Sequence, residues 1–256
     1  MVAADFWSSS HARWLLAPER LQEAHAQDLA KGLSREHVHQ VKAFVVQYIE
    51  DLAKSSQSYV RRRVVATACV YLRRFYVRRC LCEYDPRSVA PACLYLAAKA
   101  EEAQAQAKAL FHFMKKLNAS GRYQQMPALE MKDLLDLEMA IMEELDFNLV
   151  VFSPYQDLMT FLKNAGMLDI AECAWAVLND SYRTDESLVH PPYIIAIGCM
   201  VVAAALTDRN LQPWLEGLTC DLEEVYSVTQ ALFEMYESYR EGPAPDAVHR
   251  YMQLIL

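Results

Sequence analysis

The chain has 256 residues and a formal net charge of −8; 54% of its residues are hydrophobic and only six are glycine. That length suits one large domain or two that each bury a core, and a composition rich in Ala, Leu and Val favours helices throughout. The negative balance argues against a general affinity for nucleic-acid backbone, and no uninterrupted apolar run reaches the ~18 residues of a membrane span, that from Tyr193 to Leu206 being too short. Seven cysteines without zinc-type CxxC pairs read as reduced, mostly buried thiols of a cytosolic or nuclear protein.

At the amino terminus Asp5-Phe-Trp-Ser-Ser-Ser-His11 precedes a short amphipathic stretch through Leu16 and a polar region to Gly32. Ser34 is a plausible cap for a helix over 35–52, with Val38, Val41, Val45, Tyr48, Ile49 and Leu52 on one side. A second helix, 59–79, carries Val64, Val65, Ala68, Tyr71, Leu72, Phe75 and Tyr76 on one half of its circumference. Arg62, Arg63, Arg73, Arg74 and Arg78 fall on the other, so it is expected to pack on one face. The third, starting near Arg87 after Asp85-Pro86, is apolar all round and belongs at the centre of a bundle. A fourth helix covers 105–117, a loop 118–127, and a fifth helix 129–145 with Leu134, Ile141, Met142 and Leu145 along one stripe. After a linker, helices are expected at 155–165, 168–182, 192–206, 211–216 and 222–239.

The two halves are related. At an offset of 106 residues, without a gap, Ala68, Leu72, Tyr76, Pro86, Ala90, Cys93, Ala97 and Ala98 fall on identical residues, which suggests one five-helix unit used twice. Lys99, however, has Ala205 as its counterpart. A charge present in one copy only marks the first copy as the one that carries a site. Glu138 lies within the apolar stripe of the fifth helix, where an unpaired carboxylate costs several kcal/mol of desolvation. The residues allow three readings of Lys99 and Glu138: a pair at a helix junction with capacity left for a partner, a purely internal salt bridge, or a surface Glu138 on a helix rotated from this projection.

Val64-Val-Ala-Thr-Ala-Cys-Val-Tyr-Leu-Arg-Arg-Phe75, Pro91-Ala-Cys-Leu-Tyr-Leu-Ala-Ala-Lys-Ala-Glu-Glu102 and Leu137-Glu-Met-Ala-Ile-Met-Glu-Glu-Leu-Asp-Phe147 together resemble a cyclin box. The Phe6-Trp7 start, Val151-Phe-Ser-Pro-Tyr155, Trp175, Asn179 to Asp185 and His190-Pro-Pro-Tyr193 resemble the C-type branch of the cyclin family, whose members belong to the Mediator kinase module. The resemblance implies an all-α fold of two tandem five-helix bundles with an extra N-terminal helix. It divides the chain into an N-terminal segment (1–33), a first box (34–147), a second box (148–241) and a C-terminal tail (242–256).

It further implies a nuclear, non-catalytic subunit that activates a cyclin-dependent kinase of the Mediator kinase module, with other Mediator subunits as further partners and no cofactor. Lys99 and Glu138, with Glu101 or Glu102 nearby, would bond main-chain groups around the kinase's regulatory helix. Phe6, Trp7 and Trp14 would lie in a helix that helps choose the kinase; the alternative is that these rings cap the core of the first unit. Trp175, Asn179, Asp180, Tyr182 and Asp185 would line a partner groove, or else Trp175 is core and the polar residues close a loop. The arginines 62, 63, 73, 74 and 78 form a solvated face or a receptor for an acidic or phosphorylated segment.

Three features depart from the family pattern: Ala100 is small, 103–108 is rich in Gln and Ala, and no Met-Arg-x-x-Leu docking run is recognisable. A competing class is the cyclin-fold general transcription factor that binds promoter DNA, against which the charge of −8 speaks. The motifs speak against an enzyme: there is no aspartate cluster for Mg²⁺, no Gly-rich phosphate loop and no nucleophile motif. His37 and His39, two apart on a helix, diverge and cannot share a metal, so no metal site is expected.

Overall fold

The structure, a computed structural model, describes residues 5–55, 60–103, 106–119, 121–123, 126–239 and 245–256. They fall into two compact units, Leu16–Val151 with Pro243–Leu256, and Met1–Leu15 with Phe152–Gly242. Among the described residues every regular element is helical.

The first unit contains α1 (Pro18–Glu23), α2 (Ala26–Ala30), α3 (Arg35–Ser55), α4 (Arg62–Arg78), α5 (Pro86–Ala100), α6 (Ala107–Asn118) and α7 (Met131–Glu144). The second contains α8 (Tyr155–Asn164), α9 (Ala171–Ser181), α10 (Pro192–Leu206), α11 (Gln212–Leu215) and α12 (Leu222–Tyr239), and α13 (Pro245–Ile255) returns to the first. In each unit the apolar third helix is the hub: α5 packs against α3, α4 and α7, and α10 against α8, α9 and α12.

The 106-residue register is physical. α5 and α10 begin on equivalent prolines at N1, where the missing N–H costs nothing, and end on equivalent residues. They also stop in the same way. Glu102 and Asp208, again 106 apart, both have φ of 53°, and the next amide donates back to the last turn over 2.8 Å, from Ala103 to Ala98 and from Arg209 to Ala204. This is the left-handed helix stop usually given to glycine. Tyr76 and Tyr182, Cys93 and Cys199 are all buried, so the repeated identities are core positions.

Gly198 in α10 replaces the Ala92 of the first copy because α12 comes closer there: an added Cβ would sit 2.6 Å from Val228 Cγ1. Gly198→Ala is therefore expected to destabilise the protein by about 1–3 kcal/mol despite the better helix propensity of alanine, read as a lowered denaturation midpoint with unchanged slope.

Three expectations are corrected. First, α4 is buried continuously from Val64 to Tyr76, so it does not pack on one face only. Arg73 and Arg74, assigned to a solvated face, are 1% and 0% exposed. Helical projection sorts residues by charge, but an arginine stem is apolar and packs readily. Enclosure pulls the Arg74 guanidinium down to about 10, against the Tyr71 charge that would raise it.

Second, the N-terminal segment is helical as expected but is not one helix: a 3₁₀ turn Ala12–Trp14, extended backbone at Leu15, α1 started by Pro18, and α2 separated from it by His25 at φ 66°. Third, the stretch assigned to a tail carries α13. Val248, Met252 and Ile255 are buried, Tyr251 stacks on His37 at 4.0 Å, and Lys31 Nζ donates to the Ile255 carbonyl at 3.0 Å.

Candidate functional site

From Val89 onward α5 is apolar until its last turn, where Lys99 emerges beside α7. α7 is started by an acidic cap: the Glu130 N–H donates to Asp133 Oδ2 at 2.9 Å, and the carboxylates favour the positive end of the helix. This start places Glu138 two turns in, against the end of α5. Lys99 Nζ donates to Glu138 Oε1 at 2.5 Å. The two side chains differ in environment: Glu138 is 6% exposed and Lys99 48%. Glu138 takes one of the three ammonium donors, and the Tyr95 ring lies 5.1 Å from Nζ, which steadies the cation.

The adjoining acids have different roles. Glu101 is occupied within the unit: Thr67 Oγ1 donates to it at 2.8 Å and Arg63 Nε pairs with it at 2.7 Å, tying the end of α5 to the start of α4. Glu102 is exposed at the left-handed stop.

Sequence reasoning missed the surface around the pair. Met131, Leu135 and Met139 are large, exposed and spaced four apart on α7, and they form an apolar stripe beside Glu138. The signal was available: apolar positions cover more of α7's circumference than one packed face accounts for.

The other candidate residues are dispersed. Phe6 packs edge-on against Trp7 and His11 at 5.2 Å and Phe152 at 5.6 Å, and the Phe152 N–H donates to His11 Nδ1 at 2.9 Å. These contacts lie in the second unit, which overturns the alternative that the N-terminal rings cap the core of the first. Trp7 remains 62% exposed, whereas Trp14 is buried and presents no surface.

The basic face dissolves: Arg73 and Arg74 are enclosed, Arg63 pairs with Glu101, and Arg78 bonds Asp146 at 2.6 Å and the Glu144 carbonyl at 2.7 Å. Arg62 alone of the five is exposed with no such pairing described.

The groove residues do converge. Tyr155 OH donates to Asn179 Oδ1 at 2.7 Å, and its ring lies 4.6 Å from Trp175 and 6.4 Å from Tyr182. Tyr236 OH donates to Asp180 Oδ2 at 3.1 Å, while Asp185 precedes the turn Glu186–Leu188 and its main-chain carbonyl accepts from the Leu188 N–H at 2.9 Å. Tyr182 is buried and Trp175 half-buried, so one edge of this cluster reaches the surface.

Two helical bundles of one plan, the first bearing the Lys99–Glu138 pair, define the class of fold, and sequence comparison assigns the family. The cyclin N-terminal domain matches residues 15–150, and the chain belongs to the cyclin family. Within the family the likeness is to C-type cyclins and runs nearly end to end. Cyclin-C1-1 of Oryza sativa subsp. japonica is 40% identical over 94% of this chain and 92% of its own length. Cyclin-C of Drosophila pseudoobscura pseudoobscura is 31% identical over 99% and 97%.

Two solved structures share the fold. One is the CAK complex of Chaetomium thermophilum bound to ATP-gamma-S, with TM-score 0.72, 16% identity, and 98% of this chain and 88% of that one covered. The other is the yeast RNA Pol II CTD kinase CTDK-1 complex, with TM-score 0.68, 19% identity, and 94% and 81% covered.

Proposed function

We propose that this cyclin is the non-catalytic regulatory subunit of a cyclin-dependent kinase of the Mediator kinase module, and that it acts in the nucleus on RNA polymerase II transcription. The observation that carries the reading is the Lys99–Glu138 pair, its lysine half-exposed at the end of α5, its glutamate buried, and the α7 stripe beside it. Lys99 has N–H donors left for carbonyls at the end of a partner helix, whatever that helix's side chains. Met131, Leu135 and Met139 supply the apolar area that a charged pair lacks. Holding a kinase regulatory helix in place lets its glutamate meet the strand lysine that positions ATP phosphates.

Converting a mostly inactive kinase to a mostly active one takes about 5 kcal/mol of preference for the active form. An interface combining a charged pair with an apolar stripe is of the right kind. That C-type relatives match over almost the whole chain, and that the structural neighbours are kinase complexes, supports the same reading. The DNA-binding alternative loses its footing, since four of the five clustered arginines, all but Arg62, are buried or paired.

The test is reconstitution with a purified Mediator-type cyclin-dependent kinase. Addition of the chain should raise phosphotransfer to an RNA polymerase II C-terminal-domain peptide, and Leu135→Asp should weaken the complex by at least about 1–2 kcal/mol while the melting temperature stays close to wild type. A chain that binds no such kinase would remove the reading.

A further inference from the structure

We propose that Asp28, Cys80 and Cys82 form a binding site for a thiophilic divalent cation of the zinc and cadmium class, fastening α2 to the loop that follows α4. One ligand atom from each lies within 4.8 Å of the other two. A tetrahedral zinc ion, with bonds of about 2.3 Å to sulfur and 2.0–2.2 Å to oxygen, holds its ligands about 3.5–3.8 Å apart. Closure of the furthest pair thus needs a movement of about 1 Å, within reach of cysteine side-chain rotation. Two sulfurs and one carboxylate select zinc-like ions over calcium or magnesium, which take oxygen ligands.

The carboxylate is already aimed. Asp28 is fully buried; its Oδ2 accepts from the Leu81 N–H at 3.0 Å and meets His25 Nδ1 at 2.8 Å, and its Oδ1 accepts from the Cys82 N–H at 3.0 Å. A carboxylate has about four acceptor positions, so Oδ1 keeps one for a cation while His25 orients the group from behind. Cys80 and Cys82 are half-buried, which leaves an entry path.

Binding is an exchange of protons for the ion: two S–H bonds break, two metal–sulfur bonds form, two protons pass to solvent, and no electrons move. With the carboxylate the loaded site carries one net negative charge. Burial and the Asp28 carboxylate hold the metal-free Cys82 thiol above its ordinary value, and Lys31, which acts in the opposite sense, stands beside it to balance the charge of the loaded site. Lys31 also holds the end of α13 through Ile255, so the site would knit α2, the post-α4 loop and α13 together.

The experiment titrates the reduced full-length chain with Cd²⁺, reads the thiolate-to-metal charge-transfer absorption, and then displaces the ion with Zn²⁺. The expected result is saturation at one ion per chain, competition by zinc, loss of the band in the Cys80→Ser/Cys82→Ser double variant, and its retention in Cys173→Ser/Cys220→Ser. The single variant Cys82→Ser, which keeps the backbone bonds to Asp28, should weaken binding by at least about tenfold, the scale on which even outer-sphere partners matter. Absence of a band at one equivalent, or its survival without Cys80 and Cys82, would overturn the site.

Discussion

Lys99→Glu reduces kinase stimulation to the level of the kinase alone. The variant places a second carboxylate beside buried Glu138 and withdraws the ammonium from the partner. Truncating one member of a hydrogen-bonded interfacial charge pair costs about 2–5 kcal/mol, roughly 30-fold to several thousandfold in affinity, and a reversal adds repulsion. Because residue 99 is half-exposed, the new side chain can turn to water, and the cost to folding is smaller, about 1–3 kcal/mol. The measurement is a pair of curves, phosphotransfer against cyclin concentration and thermal unfolding by circular dichroism. Glu138→Gln, which keeps the shape and removes the charge, should show an intermediate loss. A folded Lys99→Glu protein that activates fully would take the pair out of the mechanism.

The second large effect is on stability. Asp28→Ala, measured with a chelator present, is expected to cost about 3–5 kcal/mol, because it strips the acceptor from the Leu81 and Cys82 amides and from His25, each worth about 1–3 kcal/mol when left unsatisfied in the interior. Burial opposes the charged carboxylate, but the hydrogen bonds from His25 and the two amides outweigh it and hold the acid below its ordinary value. Against a usual total of about 5–15 kcal/mol, that loss would bring the first unit close to unfolding at body temperature. A chemical denaturation midpoint within error of wild type would show that the segment around α2 is only loosely docked.

The bundle plan was legible because its signals are redundant. α5 and α10 announce themselves by an all-apolar period, an N1 proline and a 106-residue register, any one of which would have located the core. Lys99 stood out because its repeat partner is alanine, and Glu138 because it interrupts an apolar stripe. What stayed hidden is what depends on three dimensions. Arg73 and Arg74 have the composition of a surface and the placement of a core, since α4 is enclosed all round.

The helix α13 was readable from Val248, Met252 and Ile255, which recur at helical spacing, but a short segment at a chain end invites assignment to a tail. Asp28 and Cys80 are distant in sequence, so no spacing rule could pair them. Which bundle the N-terminal ring Phe6 belongs to is shown by its contact with Phe152, a pairing that no spacing in the sequence signals.

The unequal enclosure of Lys99 and Glu138 bears on how a complex would form in time. An ammonium already offset by its own carboxylate projects little field beyond the Debye length, about 8 Å in physiological saline, so it cannot draw a partner in from a distance. Its effect is felt after contact, when water leaves the half-open lysine and dissociation slows. Added salt would then change the lifetime of the assembled pair more than the frequency of productive collisions.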